Sequence, residues 1–265
     1  MKAITCAVAA LLAAGLFLLA GCSDDNPAGG EGVGQIRMYL VDAPDDIDAV
    51  LIQVEEVEVH QAGADENSGW SVINETDTTY NLLDLTNGAM AVLGDTTLAA
   101  GHYTQIRLIL GADNKVVVDG DTFDLNIPSS MTSGLKLTHQ FTIEANTLYE
   151  LILDFDAEES IHLTGAGQYT MNPTIRVEPV TSVGAISGTV APAEAQAEIT
   201  AVMGADTLHA FADTSSGYFK LIPVPAGAWE VTVTPTQGAY LDTTIAGVQV
   251  VAQDTTELGT ITLGL

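Results

Sequence analysis

From Gln35 onward the chain alternates apolar and polar residues with period two and shows almost no sustained 3.6-residue periodicity, so its buried faces must be faces of strands. Ile36, Met38 and Leu40 alternate with Arg37, Tyr39 and Val41 until Asp42, Ala43 and Pro44 close the first strand. The next strand runs Val50, Ile52, Val54 and then changes phase to Val57 and Val59. One extra residue at Glu55-Glu56 restores the inward face, which is what a β-bulge does. Further strands are expected over residues 80–85, 103–110, 115–118, 135–143, 148–155 and 169–177, and Asp119-Gly120 predicts a two-residue hairpin turn. Short strands at near-regular spacing, with turn residues between them, predict an all-β chain built as two antiparallel β-sandwich domains in tandem.

Ahead of that pattern Lys2 precedes an apolar run over residues 3–20 that ends in Leu19-Ala20-Gly21-Cys22. About eighteen apolar residues begin to suffice for a membrane span, which is the competing reading. The positive start, the short apolar stretch and the small residues at its end favour a secretory signal. The four closing residues resemble a bacterial lipobox, which implies that residues 1–21 are a cleaved signal peptide and that Cys22 carries diacylglycerol. The lipid bilayer is then a partner through Cys22, because stable anchoring needs more than one acyl chain. Cys6 lies in the discarded segment and Cys22 is consumed by lipidation, so no disulfide and no cysteine-rich zinc site remain. Roughly 240 residues are left to fold by core burial, enough for one or two domains. Residues 22–34 hold turn formers and acids, the composition of a flexible tether. Ser23-Asp24-Asp25 resembles the surface-export signal of some Gram-negative lipoproteins, and an ordinary polar linker reads the same way. The expected location is the bacterial cell envelope, at the outer membrane or cell surface.

Charge limits the partners further. With 35 acidic against 7 basic residues and a net charge of −28, the chain repels DNA, RNA and anionic head groups, so nucleic acid is excluded as a partner. Two readings of the acids stay open, a solvated surface suited to a saline habitat or one that collects divalent cations.

Separated motifs in the first part carry a resemblance: LVDAP at 40–44, AGHYTQIRL at 100–108, GLKL at 134–137, LDFDAEESI at 153–161 and NPTIRV at 172–177. In that order, over about residues 33–180, they resemble a family of uncharacterised prokaryotic lipoprotein domains. The resemblance implies a secreted ectodomain, over residues 35–180, without an established activity. GAISGTV at 184–190, DTSSGYFKL at 213–221 and VPAGAWEVTV at 224–233 resemble the carboxypeptidase regulatory-like domain, a transthyretin-like sandwich grouped with carbohydrate-binding-like folds. That resemblance covers residues 183–265 and implies a structural or binding module without catalytic residues. Residues 98–103 (LAAGHY) also echo residues 224–229 (VPAGAW). Either two related sandwiches stand in tandem or such turns simply recur in β proteins.

Candidate chemistry is sparse. Asp154 and Asp156 lie two apart on one strand face, with Glu158 and Glu159 following. Together with Asp42, and with Asp45 or Asp46, they offer oxygens of the kind calcium takes, so Asp42, Asp154, Asp156 and Glu158 form the candidate metal set. The competing reading makes these acids turn caps or partners of arginine. Arg37, Arg107 and Arg176 each sit inside a strand, and at least one is expected to pair with Asp42, Asp154 or Asp156. Glu58 and His60 share a face, either as two ligands of a zinc site or, more simply, as part of a solvated strand face. No GxSxG elbow, HExxH pair or free cysteine supplies a catalytic set. Trp70, Tyr80, Tyr169, Tyr218 and Trp229 serve either as core or as a sugar-binding platform, with Trp70 and Trp229 the leading platform candidates. The chain reads as a lipid-anchored, non-enzymatic binding or spacer module for glycan, matrix or surface protein. The alternative is a divalent-cation-binding protein or metal-dependent envelope enzyme using the Asp154/Asp156 region.

Overall fold

Strand β1 (Gly29–Ala43) pairs antiparallel with β5 (Ala91–Leu110) and parallel with β9 (Leu148–Asp156), which in turn pairs with β12 (Thr174–Pro179). The computed structural model describes residues 29–43, 47–127 and 134–265, so the segment 1–21 read as a signal peptide, Cys22, the Ser23-Asp24-Asp25 run, Asp45 and Asp46 lie outside the described residues. The second half of β5 pairs with β2 (Ala49–Gln61) and β8 (Leu135–Ile143), and β2 also pairs with β3 (Trp70–Asn74) and β4 (Thr78–Asn81). Thus β5 belongs to both layers: Gly101 stands opposite Gly29 on one side and Ile143 on the other. Between the layers Ile36, Met38 and Leu40 of β1 and Leu151, Leu153 and Phe155 of β9 share one core with Val57, Val59, Ile106 and Leu108. Burying each such side chain contributes about 1.5–3 kcal/mol.

The bulge lies where the phase change requires it: Val54 faces Leu110, Glu56 faces Ile109, and the register shifts between them, leaving Val54 and Val57 both buried. Asp119 and Gly120, at φ 53° and 80°, join β6 (Lys115–Val118) to β7 (Asp121–Asn126), the left-handed pair a tight hairpin needs.

A second core forms around Trp229, Phe219, Ile186, Val231 and Val233. Strand β13 (Val183–Ala191) lies between antiparallel β16 (Tyr218–Pro225) and parallel β19 (Thr255–Thr262). Facing them is the order β15 (Asp206–Phe211), β14 (Glu198–Met203), β17 (Gly227–Thr234), β18 (Thr243–Val250). This repeats the topology of the first core. There β1 lies between the first half of β5 and parallel β9, facing the order β3, β2, second half of β5, β8.

The echo between residues 98–103 and 224–229 is the corner at which the chain changes layer. Tyr103 donates its hydroxyl to Ala99 O at 3.0 Å and Trp229 donates Nε1 to Pro225 O at 2.9 Å, each four residues back. Both rings are 1% exposed. The first sandwich adds what the second lacks: β4 beside β2, β12 beside β9, a ribbon of β6, β7, β11 (Tyr169–Met171) and β10 (Ile161–Leu163) that continues from β2, and one helical turn, α1 (Ala157–Ser160).

The all-β class is as expected, and the differences have local causes. Strand β1 begins at Gly29, inside the segment read as tether, because Gly34 packs where a Cβ would come within 2.3 Å of Glu144 O. Residues 80–85 are a strand only to Asn81; Leu82–Leu85 forms a 3₁₀ turn that buries Leu82 and breaks the alternation. The stretch 169–177 is divided at Pro173, which has no N–H to donate to a ladder. Three ladders, β1–β9, β7–β11 and β13–β19, are parallel within sheets expected to be antiparallel. Among the described residues no helix is long and apolar enough to cross a membrane.

Candidate functional site

Because Leu151, Leu153 and Phe155 face the first core, alternation turns Glu150, Ile152 and Asp154 to the opposite face of β9. That face meets the second sandwich, where Val41, Ile152 and Val183 are buried together beside Tyr39, Val180 and Ile222. Register sets Asp154 between Val41 on β1 and Arg176 on β12. Arg176 Nη2 donates to Asp154 Oδ2, so one arginine does pair with one of the expected acids. Asp154 is only 4% exposed, and burial raises its carboxyl pKa to about 6 despite Arg176, which pulls it down.

The other candidate metal ligands point to separate tasks. Asp42 Oδ1 accepts Ala157 N at 3.2 Å, Asp156 Oδ1 caps α1 by accepting Glu159 N at 2.9 Å, and Glu158 is exposed on that helical turn. The four acids therefore do not converge, and among the described residues no group of three or more His, Cys, Asp or Glu side chains is placed to hold a metal ion.

Across the seam Asn87 Nδ2 donates to Phe211 O and Asn87 Oδ1 accepts Lys220 N, both at 3.2 Å, so one amide holds both layers of the second sandwich. The space left among Asp42, Asp154, Arg176, His209 and Lys220 is about 30 Å³, room for a water or two and not for an organic ligand.

The remaining arginines are also paired. Arg37 Nε and Nη2 donate to Asp95 Oδ2 at 2.8 and 2.7 Å, and Gln35 and Arg37 together hold the Asp95 carboxyl below its usual range. Arg107 bonds Glu58 Oε2 at 2.5 Å and lies 4.0 Å from the Trp70 ring centroid. This cover corrects the expectation of a solvated face for Glu58 and His60, which are 8% and 6% exposed. His60 packs edge-on against Trp70 at 4.9 Å, with Nε2 3.2 Å from Asp65 O, away from any shared metal geometry with Glu58. Trp70 donates to Glu66 O and has a guanidinium on its ring. The platform reading of Trp229 is corrected outright, since a ring 1% exposed in the second core has no face to offer a ligand.

Pattern reading missed Phe123. Its ring, 37% exposed, lies 5.1 Å from that of Tyr169 at a 46° tilt, where β7 and β11 pair in parallel. A cleft of about 280 Å³ opens there among Phe123, Asp124, Asn126, Gln168 and Tyr169. A second of about 280 Å³, also lined by Asp124 and Asn126, lies against Gly111 and Asn114. The one signal for β7 was the Asp119-Gly120 turn, which demands a returning strand.

Residues 33–173 match the model of DUF4382, a domain of unknown function. No curated protein sequence matches the chain. Among solved structures, a type II cohesin–X-dockerin complex from Acetivibrio cellulolyticus is 29% identical over 30% of this chain and 56% of that chain, at a TM-score of 0.24. The chain thus spans little more than half the length of that protein. The minor pilin of Streptococcus agalactiae is 13% identical over 86% of this chain and 94% of that chain, at 0.23. The shaft pilin of Lactobacillus rhamnosus GG is 9% identical over 88% and 98%, at 0.25.

Proposed function

The chain belongs to the DUF4382 family of domains of unknown function, and we propose that it is a lipid-anchored, non-enzymatic module of the bacterial cell envelope that binds a surface ligand or spaces one from the membrane. The anchor is read from Lys2, the apolar run and Leu19-Ala20-Gly21-Cys22, with a tether that ends where β1 begins at Gly29 and carries the first sandwich up to about residue 180 and the second over 183–265. The observation that carries the non-enzymatic part is that Arg37, Arg107 and Arg176 each pair across strands with Asp95, Glu58 and Asp154. Groups that an enzyme would aim at a substrate here join neighbouring strands. Substituting Cys22→Ser tests the anchor: the variant should leave the membrane fraction for the soluble one and melt at the wild-type temperature. Continued sedimentation of folded protein with membranes would defeat the reading.

A further inference from the structure

We propose that the twin clefts flanking the end of β7 bind neutral pyranose sugars, a site that rests on reading the chain as a binding module. The two sandwiches share one scaffold, so whatever distinguishes the first is an addition to it, and the largest addition, beside β4, β12 and the turn α1, is the four-stranded β6–β7–β11–β10 ribbon. Additions of this kind, grafted on a repeated frame, are where function resides. The ribbon carries the exposed Phe123 ring, tilted against Tyr169 over an open cleft.

The chemistry of the walls selects the ligand. Ring faces cover the C–H faces of a pyranose, and Asn126, Gln168 and Asp124 supply planar amide and carboxylate groups for its hydroxyls. Each cleft, at about 280 Å³, lies at the lower limit for a ligand pocket of about 300–1,000 Å³. The two share Asp124 and Asn126, so they suit successive units of one oligosaccharide. Anionic sugars are disfavoured, because Asp124 lies between the clefts, Asp121 is on the same strand, and the chain carries −28 overall. The nearby cation, Lys115, is already paired with Asp113 at 2.6 Å and with Asp124 at 3.4 Å.

The test is calorimetric titration of the full-length protein in detergent micelles with neutral gluco-, manno- and xylo-oligosaccharides, and with polygalacturonate fragments of equal length. Binding is expected for at least one neutral series and not for polygalacturonate, with an affinity unchanged between about 0.05 and about 0.5 M NaCl because no ion pair forms. Phe123→Ala and Gln168→Ala should each weaken it about tenfold or more, the loss of one good contact, without moving the melting temperature. Undiminished binding by both variants overturns the site while leaving the binding-module reading in place. No heat from any neutral series, or a preference for polygalacturonate, overturns the ligand class, and the anchored-module reading then stands or falls on the Cys22→Ser fractionation.

Discussion

Asp154 is covered by the second sandwich, and its carboxyl pKa of about 6 compares with about 3.9 in an unfolded chain. The folded protein therefore holds this proton more tightly than the unfolded one. Stability from the group is greatest at acid pH and is lost as pH rises through about 6. Glu56 and Glu178, both raised by burial, act in the same sense. Between about pH 5 and about pH 7.5 Asp154 alone should remove about 1–1.5 kcal/mol of stability. Asp154→Asn abolishes the titration, and Arg176, whose side chain is 40% exposed, can turn to water when its partner is gone. Urea unfolding at both pH values should show the variant losing less stability than wild type across the window. Parallel pH profiles would mean that the carboxyl is ionised throughout and that burial does not set its pKa.

At the scale of elements, the corners at Tyr103 and Trp229 place the two layers of each sandwich. Tyr103→Phe leaves Ala99 O without its buried donor and should cost about 1 kcal/mol. Trp229→Phe removes both a donor and volume from a ring 1% exposed, and should cost about 2–3 kcal/mol. Denaturant midpoints would rank them in that order, and equal, negligible losses would show that the corners do not hold the layers. Alternation made β6, β8 and β9 legible to within a residue, and the Glu55-Glu56 phase change located the bulge. It could not show which strand lies beside which, so the parallel ladders and the crossing of layers by β5 were hidden. That at least one arginine would pair with Asp42, Asp154 or Asp156 was legible from strand position and the scarcity of cations, but that it is Arg176 with Asp154 depends on the register of β12 against β9. The Phe123 cleft was not, since it exists only where β7 and β11, distant in sequence, come into parallel register.

For the whole molecule the governing quantity is the charge of −28. Arg37, Arg107, Lys115, Lys136 and Arg176 all lie in ion pairs, so the surplus carboxylates repel one another across both sandwiches. Screening should relieve this as the Debye length falls from about 10 Å at 0.1 M salt to about 3 Å at 1 M. The opposing loss is small, because exposed ion pairs such as Lys136–Glu66 contribute only about 0–1 kcal/mol each. The melting temperature should therefore rise steadily with NaCl. Calcium chloride at matched ionic strength separates the two readings of the acids. Equal shifts mean that the surface responds to ionic strength alone, as the separate tasks of Asp42, Asp154 and Asp156 lead one to expect. A calcium shift well above the sodium one, saturating at low concentration, would mean that carboxylates converge on the ion somewhere, and the acidic surface would then be a cation-collecting one.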